Sequence, residues 1–317
     1  MKALRSLILR YGPLVIAGLT PLFYFGVRAF PHITSKTFFF YGSVEILAVV
    51  WLYEVLIGEV KIISRKQLTL LAPFIGYVIW MSIAGMLGMN PGLSLWSSLG
   101  RGTGLLTWYH GLLFVSIVIS LINTYGRDYL RKLLVVSFIS SLLVTLGIWC
   151  GDEGLKFPID ALQKGGGGGT IGNSSLAAAY LLLMLGVGGL LLWAKDASRQ
   201  IKRVALIGIG LTIFSPLFIN LQAIILGKGF WGSARGATLG IFVAIGFAVL
   251  SFWACSPKKT YRILGISGGI GGVMLMLFLW IRLITPGTSI HDGFIKAASG
   301  TRFVFWDIAA KVLQERP

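Results

Sequence analysis

The feature that most constrains this chain is its series of long apolar runs, each followed by a short polar loop. A bilayer-spanning helix needs about 20 mostly apolar residues. Nine segments answer to that length: 12–30, 37–57, 68–88, 105–122, 133–150, 174–194, 204–224, 236–255 and 261–284. Only 12% of the 317 residues are charged, against roughly 25% in soluble domains. Mean hydropathy is +0.83. These values exclude a soluble enzyme, a disordered chain and a disulfide scaffold. The expected fold is an all-α polytopic bundle of about nine spans. Residues 1–284 form its transmembrane domain, and 285–317 begin an extracytoplasmic segment. Ser215-Pro216 in the seventh span is where a kink or split is expected.

The loops orient the bundle. On alternate sides, one set carries Lys2, Arg5 and Arg10, then Lys61, Arg65 and Lys66, then Arg127, Arg131 and Lys132. It continues with Lys195, Arg199, Lys202 and Arg203, then Lys258, Lys259 and Arg262. This set holds more than half of the 28 Lys and Arg, and every one of its loops is basic. The positive-inside rule therefore predicts a cytoplasmic N-terminus and an extracytoplasmic C-terminus. The net charge of +17 is scattered between spans and forms no continuous stripe, so nucleic acid is not an expected partner. The first apolar run is long and lacks a small-residue cleavage site, so it reads as a retained span. Cys150 and Cys255 fall at opposite membrane faces in this topology and cannot pair.

The unusual chemistry lies in the outer loops, at 89–104, 151–173, 228–235 and in the tail from 285. The tail ends in the amphipathic segment FVFWDIAAKVLQ, which suits a helix lying on the membrane surface. The glycines at 165–169 are not followed by GK[ST] and read as a flexible loop. Thr170 to Ser175 then leads into a helix that Asn173 or Ser can cap, with NH groups that favour an anion. GISGGIGG at 265–272 lies inside a span, where small residues four apart allow close helix packing.

Glu45 and Glu54 share the second span. Nine residues of helix turn about 900°, which puts them on opposite faces. Glu54 is expected to reach water at the inner end. Glu45 is deeper, and is expected to be neutral or paired with an arginine. His110 could hydrogen-bond inside the bundle, whereas His32 and His291 carry little signal. No His, Cys or carboxylate grouping suggests a metal, and no cofactor is expected. Arg101, Arg235 and Arg302 lie near the outer surface, with Trp96, Trp231 and Trp306 close in sequence. A guanidinium fork matches phosphate oxygens and stays charged at any pH.

Four stretches resemble the O-antigen ligase and polymerase superfamily of bacterial membrane glycosyltransferases. Gly172-Asn173-Ser174-Ser175-Leu176-Ala177 looks like that family's Gly-Asn-Pro-Asn-x-Leu-Ala helix start, with Ser at the usual Pro and Asn positions. Gly232-Ser233-Ala234-Arg235-Gly236-Ala237 resembles its Ser-Arg-Gly-Ala segment, with Ala234 where Ser is usual. Ser299 to Trp306 resembles its Arg-x-x-x-Trp segment through Arg302 and Trp306. Leu95-Trp96-Ser97-Ser98 with Arg101 and Gly104 resembles a segment of some members.

The resemblance implies a donor, a glycan on undecaprenyl diphosphate at the outer leaflet of the cytoplasmic membrane. It implies transfer to a lipid or protein acceptor, without metal. Arg235 and Arg302 would be catalytic, stabilising charge on the departing diphosphate. Arg101, Asn173 and Trp306 would bind substrate. Such proteins continue into a large outer loop with a His-Asn pair that acts on the acceptor. This sequence has no His-Asn pair and ends at Pro317 where that loop would begin, so a truncated chain is expected. A repeat-unit polymerase of the same superfamily is an alternative. So is a transporter or lipid flippase, which would need polar groups near the midplane and broken helices at matching positions.

Overall fold

The computed structural model describes residues 2–25, 31–97, 103–150, 170–194, 196–225, 235–285 and 287–289, together with Asp292, Ile308 and Lys311. Among these residues the chain is helical, with no strand. The helices are α1 (Lys2–Leu19), α2 (Pro31–Leu56), α3 (Arg65–Leu87), α4 (Pro91–Trp96) and α5 (Leu105–Tyr125). They continue with α6 (Arg127–Cys150), α7 (Ser174–Trp193), α8 (Arg199–Ile225), α9 (Arg235–Ala254) and α10 (Lys259–Ile284). Six are long and apolar enough to cross a membrane: α2, α3, α5, α6, α7 and α10. The chain is a multi-pass membrane protein.

Two boundaries differ from the hydropathy pattern. The first apolar run suggested a helix over 12–30, but α1 occupies Lys2–Leu19 and the chain turns at Thr20–Leu22. Pro21 is the cause, because the residue before a proline is pushed out of helical geometry. Helix α1 therefore begins within the basic residues Lys2, Arg5 and Arg10. At Ser215-Pro216, where a kink or split was expected, the helix is not split: α8 runs on to Ile225.

The chain forms two compact units, Met1–Ile241 and Phe242–Pro317, with the division inside α9. In the first unit α1 runs parallel to α6. Tyr129 Oη donates to Leu9 O at 3.3 Å and Ser140 Oγ to Gly18 O at 2.6 Å. Helix α2 returns antiparallel to α1, and α5 runs parallel to α2. Leu9, Ile16, Val44, Leu47, Ile117, Leu121 and Tyr129 form the core between these four helices. A second core joins α6 to α7 through Val144, Ile148, Ala177, Ala178 and Leu181.

Lipid tails are as apolar as leucine, so close packing rather than burial from water holds such helices together. Phe138 of α6 shows how. Its ring edge lies against Gly188 of α7 and Gly208 of α8, where an added Cβ would come within 2.8 Å and 2.5 Å of ring carbons. In the second unit Gly265 of α10 meets the backbone of α9, where a Cβ would collide with Ala254 and Leu250. The 265–272 glycines thus do pack, but on one side only. Gly265 and Gly268 face α9, while Gly269, Gly271 and Gly272 have nothing within 4 Å among the described residues.

The loops of the first unit segregate to two ends. At the basic end Arg5 Nε meets Glu54 Oε1 at 2.7 Å, and Lys2 Nζ meets Glu59 Oε1 at 2.9 Å. There also Lys61 N donates to Thr124 Oγ1 at 3.1 Å, and Arg131 Nη1 to Asp196 O at 2.8 Å. The start of α3 carries a capping box between Ser64 and Gln67. At the opposite end lie the 20–25 turn, the starts of α2, α5 and α7, and the short helix α4.

Candidate functional site

Asn173 is the one expected substrate-binding residue that lies among the described residues. Its Oδ1 accepts from Leu176 N at 3.2 Å, which makes it the cap of α7. Gly172 before it has φ +79°, and a Cβ there would run into the His32 ring. Glycine is required at this joint for both reasons. Thr170 is fully buried and donates through Oγ1 to Pro21 O at 2.9 Å. The helix start is thereby fastened to the turn after α1.

One carbonyl organises this joint. Thr170 O accepts from Lys36 Nζ at 2.5 Å and from His32 Nδ1 at 3.3 Å. The Lys36 ammonium also donates to Phe23 O and to His32 O, each at 3.0 Å. An ammonium has three donors, and here all three go to neutral backbone oxygens. Among the described residues no carboxylate pairs with it, and it lies beside the capped end of α7. Hydropathy gave no reason to select Lys36, because its partners are as many as 134 residues away.

Arg235 opens α9. Helix α8 returns to the end from which α7 sets out, and α9 starts there in turn. Gly240, five residues into α9, lies against Leu182, eight residues into α7; a Cβ on it would be 3.2 Å from Leu182 Cδ2. The starts of α7 and α9 therefore share one end of the first unit with Lys36 and His32. Arg101, Arg302 and Trp306 lie outside the described residues.

The 89–104 stretch forms the other part of this end. Asn90 Oδ1 accepts from Leu93 N at 2.9 Å and caps α4. Helix α4 ends at Ser97, whose φ is 64°. Gly104 then touches the backbone of Leu95 so closely that any side chain there would collide. Between α3, α4 and α5 lies a cleft of about 510 Å³, with Ser94, Ser97, Thr103 and Trp108 among its lining residues.

The two spanning glutamates take separate partners on opposite sides of α2, as their spacing requires. Glu54 does not reach water at the inner end. It is buried against Arg5, whose guanidinium also covers the Tyr53 ring at 4.3 Å. The N-terminal part of α1 brings a cation to it, a contact hidden in sequence by 49 intervening positions. Glu45 pairs with a histidine rather than an arginine, with Oε1 lying 3.0 Å from His110 Nε2. The His110 ring stacks on Tyr41 at 4.1 Å and 14°, and Tyr41 Oη meets Thr107 Oγ1 at 2.6 Å. Among the described residues no cluster of three His, Cys, Asp or Glu could hold a metal ion.

No family model, no curated protein and no solved structure matches the chain.

Proposed function

We propose that the chain is an O-antigen ligase-like glycosyltransferase of the cytoplasmic membrane, with nine spans, a cytoplasmic N-terminus and a site facing outward. It takes a glycan from undecaprenyl diphosphate and delivers it to a lipid or protein acceptor, with no metal. The bond from the sugar to the diphosphate breaks, and a bond to the acceptor forms in its place. Negative charge grows on the leaving diphosphate, and Arg235 and Arg302 hold it there. Arg101, Asn173 and Trp306 contact the donor.

The observation that carries this reading is the capped start of α7 at Asn173, beside the charged Lys36 and at the end where Arg235 opens α9. Helix starts and cations both favour an anion. The basic loops support the orientation, since those of the first unit gather at the other end. A repeat-unit polymerase shares the same donor step and differs in its acceptor.

The test is Arg235→Ala in the protein's own membranes, supplied with lipid-linked oligosaccharide. Glycan transfer falls at least about 100-fold, the loss typical of removing one oxyanion-stabilising group, while the amount of protein in the membrane stays normal. Loss of the protein itself would assign Arg235 a structural role. One observation favours a transporter instead, the Glu45–His110 pair among apolar helices. Under that reading Arg235→Ala leaves a transport activity in sealed vesicles, and Glu45→Gln removes it.

A further inference from the structure

The cleft between α3, α4 and α5 has a fixed frame. Ser82 Oγ of α3 lies 2.8 Å from Tyr109 Oη of α5. Gly85 lets α4 close on α3, since a Cβ there would be 3.2 Å from Ser94 Cβ. Gly104 does the same for α4 and α5, against the backbone of Leu95. Trp108 is held from α3 by the rings of Tyr77, at 5.1 Å and 73°, and Phe74, at 6.4 Å and 66°. The volume of about 510 Å³ falls within the roughly 300–1,000 Å³ of small-molecule sites.

The lining selects among occupants. Met81, Ala84, Leu93 and Trp108 give apolar walls, and Ser94, Ser97 and Thr103 add hydroxyls. Among the described residues these three hydroxyls have no hydrogen-bond partner. Other hydroxyls of α3 and α5 do: Ser82 meets Val78 O and Tyr109, Thr107 meets Tyr41, and Ser116 meets Leu112 O. The cleft thus gathers the polar groups that the fold does not use.

No charged side chain lines it among the described residues. An ionic ligand would be held there without a counter-charge, which is costly. An alkyl chain would strip water from three hydroxyls and return no acceptor. A pyranose ring meets both demands. Its C–H face suits Trp108 and the apolar walls, and the hydroxyls on its edge both donate and accept. The position fits as well. Met86, Leu87, Met89 and Trp96 are exposed where α3 gives way to α4. Such a rim at the end of a spanning helix marks the membrane–water boundary, where a lipid-borne sugar lies.

We propose that this cleft is a carbohydrate subsite that takes one uncharged sugar ring of a membrane-borne glycan. Ser94, Ser97 and Thr103 hydrogen-bond to the ring's hydroxyls, and Trp108 lies against its C–H face. The inference rests on the glycan-transfer reading for the source of the sugar. It deepens that reading by seating part of the glycan on residues that have no role at the diphosphate.

Saturation-transfer NMR on the protein in lipid nanodiscs tests this, with the methyl glycosides of glucose, galactose, N-acetylglucosamine and rhamnose as probes. At least one probe takes up saturation at its ring C–H protons from the native protein. The variant Ser94→Ala/Ser97→Ala/Thr103→Val weakens that binding at least about tenfold, as the loss of two or three hydrogen bonds does. It folds like the native protein, because the removed hydroxyls bond to no other described residue. Ala84→Phe narrows the cleft and weakens the same signal. A probe bound equally by the native protein and the triple variant sits elsewhere, and overturns the proposal. So does the absence of saturation in all four probes, which would leave the cleft to water or lipid. Arg235→Ala separates the subsite from the transfer step, since it keeps the sugar signal while transfer is lost. A sugar signal in the cleft with no transfer by the native protein would break the transfer reading alone. Arg235-dependent transfer with no sugar signal would break the subsite alone.

Discussion

The basic end of the first unit and its opposite end solve the same problem in different ways. At the basic end, cations meet carboxylates: Arg5 meets Glu54, Lys2 meets Glu59, and Arg131 meets Asp128. At the opposite end Lys36 is held by three backbone carbonyls, and no ion pair forms there among the described residues. A cation matched by an acid is spent on holding the fold. The basic end is thus held by ion pairs, while at the opposite end backbone carbonyls hold the lysine.

The largest effect that would break this contrast is expected at Arg5. Glu54 is buried, and Arg5→Met leaves its charge without a partner. Stranding a buried charge costs about 3–5 kcal/mol. The low end, about 3 kcal/mol, applies here because the Arg5 side chain is itself 26% exposed. Chemical unfolding in detergent micelles measures it. The double variant Arg5→Met with Glu54→Leu should recover most of the loss, since replacing both partners removes the stranded charge. A double variant as unstable as the single one would mean that the α1–α2 contact depends on packing and not on charge.

The next effect lies at the opposite end. Gly172→Ala puts a Cβ into the His32 ring and a side chain at φ +79°. A non-glycine residue in such a conformation costs of order 1–3 kcal/mol, and the collision adds to it. His32→Gly with Gly172→Ala should remove the collision, because the His32 Cβ is itself among the atoms in the way, and leave a backbone cost of about 1 kcal/mol. The two changes touch one another, so their effects should not add. Additive losses would show that His32 and Gly172 do not share this joint.

The helices were legible because hydropathy repeats at the right length: eight of the nine expected segments fall on helices, six of them long and apolar enough to cross a membrane. The exception is the first, where Pro21 ends α1 and the window 12–30 averaged across a turn. The cap at Asn173 was legible too, because its partner is three residues away. Contacts between helices were not. Glu45 and His110 are separated by 65 positions, Arg5 and Glu54 by 49, and Lys36 and Thr170 by 134. Each pair needs the packing of helices that periodicity alone does not choose. Lipid provides no hydrophobic force to select one helix face over another.

The smallest effect completes the contrast within the basic end itself. Lys2 and Glu59 make the same kind of contact as Arg5 and Glu54, at 2.9 Å, but both side chains lie largely in solvent. Their hydrogen bond raises the Lys2 pKa above its ordinary value. Any stability it adds is present below the ordinary lysine range and is lost as pH rises through the raised value. Water and salt screen such a pair, and exposed pairs are often silent in measurement. Lys2→Met should therefore leave the unfolding midpoint unchanged within error, both at low salt and at high salt. A loss comparable to that of Arg5→Met would mean that the Lys2 contact is shielded from solvent, as it would be by lipid headgroups or a covering partner. Geometry alone makes the two ion pairs look equal, and burial of the acid is what separates them.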